Sequence, residues 1–447
     1  MAGLKMFSTT LARLPRLLSV FAITFALMTS TAISLSVMGC QAPPNGSSIP
    51  IQPLRVGTSG DYAPFSLDSA GKSNGNLQPE GFSIDVARAF ANHTGRRVEF
   101  VQFNWPKLSQ SLAAEYFDFA LSGVTVRPDR SIAGRFSHPL TVSGAVVLTR
   151  AKSGLDRLED LRRPGLTFAV NAGGHLERTT RALFPGAVIE AIPANHLVLE
   201  ALDRNEVDAV VTDSLEAPIW LARREGLHEI GPLTRDRKAA WFPVARRDEI
   251  ERFDAWLLKA EASGELGALR AKHGLPQEQT ALPGAALLAR LDERLSLMID
   301  VAKAKAVLGS AIEDLPREER VLDAAVAGIR RASKASGNAA PSDKAVRSLY
   351  RAQIEAAKTI QRRWTAVPRS ITTKEHTHQA ARRALDDEIR PALIYLGDRL
   401  AELLVQNMEE KARAPSFDDL KQALGRHGLP ERDLTEIADA LEALLGR

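Results

Sequence analysis

The chain has 447 residues, 45% hydrophobic and 25% charged, a globular composition too long for one ordinary core, so about two or three domains are expected. The formal net charge is only +4; with no dense Lys/Arg run and no basic-aromatic interleaving, nucleic acid is excluded as a partner. One cysteine, Cys40, excludes an intrachain disulfide, so the fold must rest on its apolar cores.

At the N-terminus, Lys5, Arg13 and Arg16 precede an uncharged apolar run at 17–37, the pattern of an export signal. The run is also long enough to read as a membrane span. It ends at VMGC (37–40), which resembles the cleavage box of bacterial lipoproteins. That resemblance implies a signal peptide over 1–40, lipidation of Cys40, and a mature protein in the periplasm anchored to a bacterial membrane. An uncleaved anchor remains the alternative. QAPPNGSSIPIQP (41–53) is Pro/Gly/Ser-rich and reads as a tether.

From 54 to 275, short β-rich runs alternate with helical patterns: LRVGTSG, DVARAFANHTG, VEFVQF, FDFALSGVTV, GAVVLTR, LTFAVN, AVIEAI and VDAVVTD. This alternation predicts α/β layers with parallel sheets. PQEQTALPG (276–284) reads as a linker. From 285 to 447 helical periodicity dominates, interrupted at Gly309, Pro316, Gly337 to Pro341, Pro368, Pro391 and Pro415. That is the pattern of an all-α bundle.

The bundle begins with LLARLDERLSLMIDVAKAKAVL (287–308). At about 100° per residue, Leu287, Leu291, Met298, Val301 and Ala302 form an apolar stripe. Asp292, Glu293, Ser296, Asp300 and Lys303 form the opposite face, expected to be wet. Arg294 and Lys305 fall inside the stripe, and three helical turns bring them to within about 20° of one another. A buried charge is costly unless something pairs with it. Other helices add polar groups. Arg317 follows Pro316. Leu349, Tyr350, Ala356, Ala357, Ile360 and Trp364 make a stripe containing Gln353, with Gln361 on its edge and Lys358 pointing away. A helix from about Leu385 turns Ile389, Leu393, Leu396 and Leu400 inward and puts Arg390 at the edge. An interior lined this way suits a compact polyanion. Cations snorkelling at a helix or dimer seam are the alternative.

Within 54–275, TSGDYAPF (58–65), DFALSGVTVRPDR (118–130) with FSHP (136–139), and VDAVVTD (207–213) resemble solute-binding proteins that capture amino acids for transporters. The resemblance implies two α/β lobes, a hinge and a ligand cleft. GDY (60–62) with PFS (64–66), VNAGG (170–174) and TDSLEA (212–217) resemble more closely the periplasmic cyclohexadienyl dehydratases, which act on prephenate or arogenate. Aromatisation drives that reaction, so the enzyme's task is to protonate a poor leaving hydroxyl. A carboxylic acid kept neutral in an apolar site can do it. Glu216, just past a strand end, is the candidate general acid; service to a helix N-terminus is the alternative. By the same resemblance Arg130 matches an arginine that grips a ligand carboxylate. Asn171, Gly173 and Gly174 read as a turn freeing backbone N–H groups for an anion. Asp61, Trp105 and Thr125 match cleft-lining positions. Asp213 matches a position that holds a ligand ammonium, which leaves an amino acid or arogenate open as ligand. His175 reads as a polar loop residue. No metal cluster, phosphate loop or dinucleotide fingerprint is found, so neither metal nor cofactor is expected.

In the helical part, LARLDERLSLMIDVAKAK, IEDLPREE and AQIEAAKTIQRRW, with IRPALIYLGDRL downstream, resemble the exported subclass of all-helical chorismate mutases. Their reaction is unimolecular. It needs a flexible dianion held in its reactive shape and donors for charge developing on the breaking ether oxygen. The resemblance implies that Arg294 and Arg390 clamp carboxylates, Lys305 and Gln361 donate to the ether oxygen, and Arg317 orients the substrate. Val321 and Ala357 stand where relatives often carry polar side chains. Prephenate would be product of one domain and substrate of the other, so the chain reads as a bifunctional exported enzyme. Two rivals remain: a lipid-anchored amino-acid receptor fused to a mutase, and a helical part that only dimerises. A homodimer through the helical domain is a further expectation.

Overall fold

The computed structural model describes residues 52–68, 79–367 and 375–446. The expected export signal, Cys40 and all but the end of the expected tether lie outside them, as does Pro368. No helix among the described residues is long and apolar enough to cross a membrane.

Two mixed sheets form the first body. One has the order Val98–Gln102, Leu54–Thr58, Phe119–Ala120, Trp241–Phe242, Arg135–Phe136. The other has the order Val188–Ile192, Thr167–Asn171, Ala209–Asp213, Ala145–Arg150, Leu227–Ile230. The expected parallel pairings are present, Leu54 beside Val98 and Thr167 beside Val188 among them. Each sheet also carries antiparallel strands that the alternation did not predict. Trp241–Phe242 and Ala145–Arg150 each follow a crossing between lobes, so they enter their sheets from the cleft side and must run against the strands that end there. FDFALSGVTV yields only the strand Phe119–Ala120. Beyond it the chain turns at Gly123, whose φ of +66° and close approach to Phe65 (2.6 Å from a built Cβ) leave no room for a side chain.

The crossings are Thr141–Ser143 and Asp236–Lys238, paired antiparallel as a two-stranded hinge. Side chains alternate along a strand. Asp236 and Lys238 meet groups of the cleft, while Arg237 points the other way, to the helical body.

The helical body comprises Pro283–Ser296, Met298–Leu308, Leu315–Ser336, Asp343–Ala366, Glu375–Arg383, Arg390–Glu409, Phe417–Leu424 and Glu431–Leu445. Its core joins Leu287, Leu291, Leu322, Leu349, Leu396 and Leu441 across these helices. The quoted stretch is broken at Leu297. Gly309 and Gly337 end helices in the left-handed conformation, φ 62° and 77°. Pro391 does not interrupt as expected. A π-helical turn over Ala384–Ile389 precedes it, and the helix runs straight on. Its wider turn accommodates the ring and the missing N–H.

The face expected to be wet is corrected by the fold. Asp292 and Glu293 are 2% and 3% exposed, because the first body packs on them. Asp292 accepts from Arg426 at 2.7 and 2.8 Å, has His427 Nε2 at 2.8 Å, and is met by Arg237 from the hinge. Arg290 donates to Glu293 at 2.5 Å and to the Phe136 carbonyl at 2.8 Å. Nearby, Arg399 pairs with Asp254 at 2.7 Å. Periodicity within one helix carries no information about such a partner. The expected linker is pinned as well: Thr280 donates to the Pro139 carbonyl at 2.7 Å, and the Ala281 N–H to Glu261, itself in a bidentate pair with Arg270 at 2.7 and 2.6 Å.

Candidate active sites

The cleft lies where strand ends of both lobes meet, as ligand sites do in open α/β sheets. It is closed in this structure: Asn195 reaches the Asp61 carbonyl at 3.2 Å, and Arg178 lies 3.4 Å from Asp129. The space between the lobes is lined from both sides, by Tyr62 and Trp105 of one and Asn171 and Asn195 of the other.

Glu216 lines it and is 2% exposed. Although it stands at the N-terminus of the short helix Ala217–Leu221, its carboxyl makes no cap bond there. It accepts instead from Thr212 at 2.6 Å and from Asn195 Nδ2 at 2.8 Å. Burial raises its pKa to about 8; the Thr212 and Asn195 hydrogen bonds oppose the rise, and the charges of Asp213 and Asp61 add to it. The carboxyl therefore holds a proton at neutral pH.

Arg130 is 2% exposed and lies between the rings of Trp105 and Trp241, 6.0 and 5.8 Å from their centroids. It donates to the Thr125 carbonyl at 3.2 Å; its Nε has no partner and no carboxylate pairs with it among the described residues. Lys238, 2% exposed, contacts Asp213 at 2.9 Å, the Thr125 hydroxyl at 2.8 Å and the Tyr62 hydroxyl at 3.3 Å. His175 faces Asp236 at 2.9 Å. Burial raises Asp236, but His175 and Lys238 outweigh it and bring its pKa down to about 2.

Trp105, Thr125, Arg130, Asn171, Gly174 and Glu216 thus line one cavity. Three expected residues take other places. Asp61 accepts from Trp105 Nε1 at 3.1 Å and so orients that ring. The Gly173 N–H, expected to be free for an anion, donates to Glu177 at 2.8 Å. Asp213 is fully buried, occupied by Lys238 and by Ser143 at 2.8 Å.

The second site lies in the helical body, in a pocket lined by Arg294, Lys305, Arg317, Gln361 and Arg390 together. Arg294 donates to the Leu393 carbonyl at 3.2 Å and Lys305 to the Ile312 carbonyl at 2.7 Å. Neither pairs with a carboxylate among the described residues. Burial lowers the pKa of both; Arg317 and Arg390 push Lys305 further down, against Asp314. Asp314 caps the helix that carries Arg317, accepting from its N–H at 3.1 Å. The π turn before Arg390 sets that residue's direction, and Asp386 pairs with it. Gln361 donates from Nε2 to the Ala357 carbonyl at 3.2 Å, and its Oε1 has no partner. Lys358 does not point away as expected. It is 4% exposed and lines the site, tied to Glu355 at 2.6 Å and Glu318 at 3.1 Å.

Residues 54–276 match the family model for bacterial extracellular solute-binding proteins, family 3, and residues 285–362 that for chorismate mutase type II. The cyclohexadienyl dehydratase of Pseudomonas aeruginosa is 32% identical over 219 residues, 48% of this chain and 79% of that protein. The chain belongs to the family 3 solute-binding proteins. This solute-binding protein also carries a chorismate mutase type II domain. It is similar to the arginine-binding extracellular protein ArtP of Bacillus subtilis, 26% identical over 253 residues, 55% of this chain and 95% of that one. It is similar too to the crystal structure of an ancestral amino acid-binding protein, a precursor of cyclohexadienyl dehydratase, with 28% identity, a TM-score of 0.45, and coverage of 49% of this chain and 94% of that one.

Sequence reasoning passed over Lys238, Asn195 and Tyr62 of this solute-binding cleft and read His175 as a loop residue. The one usable signal was TRDRKAAWF (234–242), where charges sit at successive positions directly before an apolar strand; a strand there must send some of them inward.

Proposed function

We propose that the protein is a bifunctional enzyme of phenylalanine biosynthesis: the helical domain turns chorismate into prephenate and the cleft turns prephenate into phenylpyruvate. The observation that carries this reading is Glu216, a buried carboxyl that keeps its proton to about pH 8 inside a cleft whose other charged walls are Arg130 and Lys238. A receptor for amino acids has no use for a neutral acid there. A dehydratase needs one.

In the helical site Arg294 and Arg390 hold the two carboxylates of chorismate and so fix its reactive conformation. Lys305 and the Gln361 amide donate to the ether oxygen as its bond to carbon breaks, with Arg317 orienting the ring side. Gln361 is a neutral donor at any ordinary pH. In the cleft Arg130 and Lys238 hold the carboxylates of prephenate. Glu216 gives its proton to the ring hydroxyl, which leaves as water, while the ring carboxylate leaves as CO₂ and its bonding electrons complete the aromatic ring. Asn195 and Thr212 hold the Glu216 carboxyl and donate to the carboxylate once the proton is gone. The dehydratase domain is 54–275 and the mutase domain 285–447. We place the protein in the periplasm, lipid-anchored at Cys40; both sites face a small dianion.

The test is to supply chorismate to the mature protein and follow all three compounds. Phenylpyruvate should form with little free prephenate. Unchanged chorismate would overturn the mutase, and accumulating prephenate near neutral pH would favour the receptor. Arg294→Ala should slow chorismate consumption by ~10²–10³-fold while added prephenate is still dehydrated at the parent's rate, measured by absorbance with each substrate separately.

A further inference from the structure

A further cavity, separate from the cleft and from the helical site, lies where the hinge, the linker and the helical body meet. Its walls include Val142 of one hinge strand, Arg235 and Arg237 at the other, Glu278 of the linker, and Leu288 and Arg413 of the helical body. Arg237 is 8% exposed and hydrogen-bonds only from Nη1, to Asp292. Its other guanidinium nitrogens have no partner among the described residues. Asp292 also accepts from Arg426 at 2.7 and 2.8 Å, so one carboxylate serves two guanidinium groups. Arg235 donates from Nη2 to Glu278 at 2.6 Å, and its buried Nε has no partner. Val142, Leu288 and Pro415 make the facing walls apolar. Unmet guanidinium donors beside apolar walls suit a carboxylate that carries an apolar body.

These walls belong to parts that shift against one another. The helical body is bonded to the first lobe, Arg290 to the Phe136 carbonyl at 2.8 Å and Arg399 to Asp254 at 2.7 Å. No hydrogen bond or ion pair joins it to the second lobe among the described residues. Opening the cleft therefore swings the second lobe and bends both hinge strands, moving Val142 and Arg237 against Leu288 and Arg413. A ligand seated among these side chains fits the closed arrangement best and stabilises it. Substrate entry and product release need the open one. We infer that this cavity is an effector site for a small monocarboxylate with an apolar body, and that filling it holds the cleft closed and slows turnover.

The test uses the full mature chain and phenylacetate, a monocarboxylate with an aryl body. Calorimetric titration should show one binding event that survives Arg130→Met, which takes the carboxylate-gripping arginine out of the cleft. Arg237→Gln should weaken that event by about tenfold or more. Arg235→Gln should weaken it likewise, at a half-buried position whose loss leaves the Asp292 cluster intact. In kinetics, which rest on the dehydratase reading, phenylacetate should lower kcat at saturating prephenate by about fivefold or more. No binding to the parent overturns the inference. So does binding that Arg130→Met abolishes and both hinge variants keep, or inhibition through KM alone, since each places the probe in the cleft. A parent that dehydrates no prephenate overturns the dehydratase, and the titrations still decide whether the cavity binds.

Discussion

Glu216→Gln is expected to lower phenylpyruvate formation by ~10²–10⁴-fold while chorismate is consumed at the parent's rate, so that prephenate accumulates. The amide has the shape of the protonated acid. It can accept from Asn195 Nδ2 and donate to Thr212, the two partners that hold the carboxyl now. The cavity therefore stays, and only the transferable proton is lost. A stability effect accompanies it. The folded carboxyl titrates near pH 8, against an ordinary value of 4.5. Below 4.5 it is protonated folded and unfolded alike. Between these values only the folded state keeps the proton, so stability falls as pH rises and the contribution is gone above pH 8. The amide does not titrate. Its melting temperature should fall less than the parent's between pH 5 and pH 9, a gain on the order of a few kcal/mol at the alkaline end. A variant that is both inactive and relatively more stable in alkali marks a strained functional group; one that loses activity and stability together would mark a structural one.

The second large effect is expected at Asp292, which lines neither active site. Asp292→Ala removes the anion that Arg237, Arg426 and His427 share and leaves the buried Arg237 guanidinium without a partner, a cost of about 3–5 kcal/mol. Burial by itself would raise the Asp292 pKa, but Arg426, Arg237 and His427 hold it well below the usual carboxylate range. Its contribution is therefore present above the ordinary value near 3.8 and lost as pH falls below it. Denaturant unfolding of the parent should weaken on acidification below about pH 4 through this group, and Asp292→Ala should lack that part of the acid dependence. An unchanged unfolding midpoint in the variant would remove the seam from the stability of the protein.

Much of this was legible before any coordinates. Arg294 and Lys305 announced themselves because a helix repeat puts them among leucines, and the periodicity of neighbouring helices supplied Gln361 and Arg390. Glu216 was legible only through its surroundings in TDSLEA, since one carboxyl after a strand has several uses. Lys238 and Asp292 were not legible, for one physical reason. What they do is set by a partner distant in sequence, Asp213 for one and Arg237 for the other. Local spacing places a side chain on a face; it does not say what that face will meet. Lys358 fell on the wrong side for another reason: the stripe of its own helix turned it away, and Glu355 and Glu318 hold it inside.

The seam around Asp292 also constrains how this chain can change over generations. A cluster of Asp292, Arg237 and Arg426 exchanged all at once for well-packed apolar residues would lose little or even gain stability, whereas any single exchange strands the rest. Drift at these positions must therefore be concerted. Among descendants of this chain, positions 237, 292 and 426 should be kept together or replaced together, and a hinge strand that also lines the cleft should inherit that restraint.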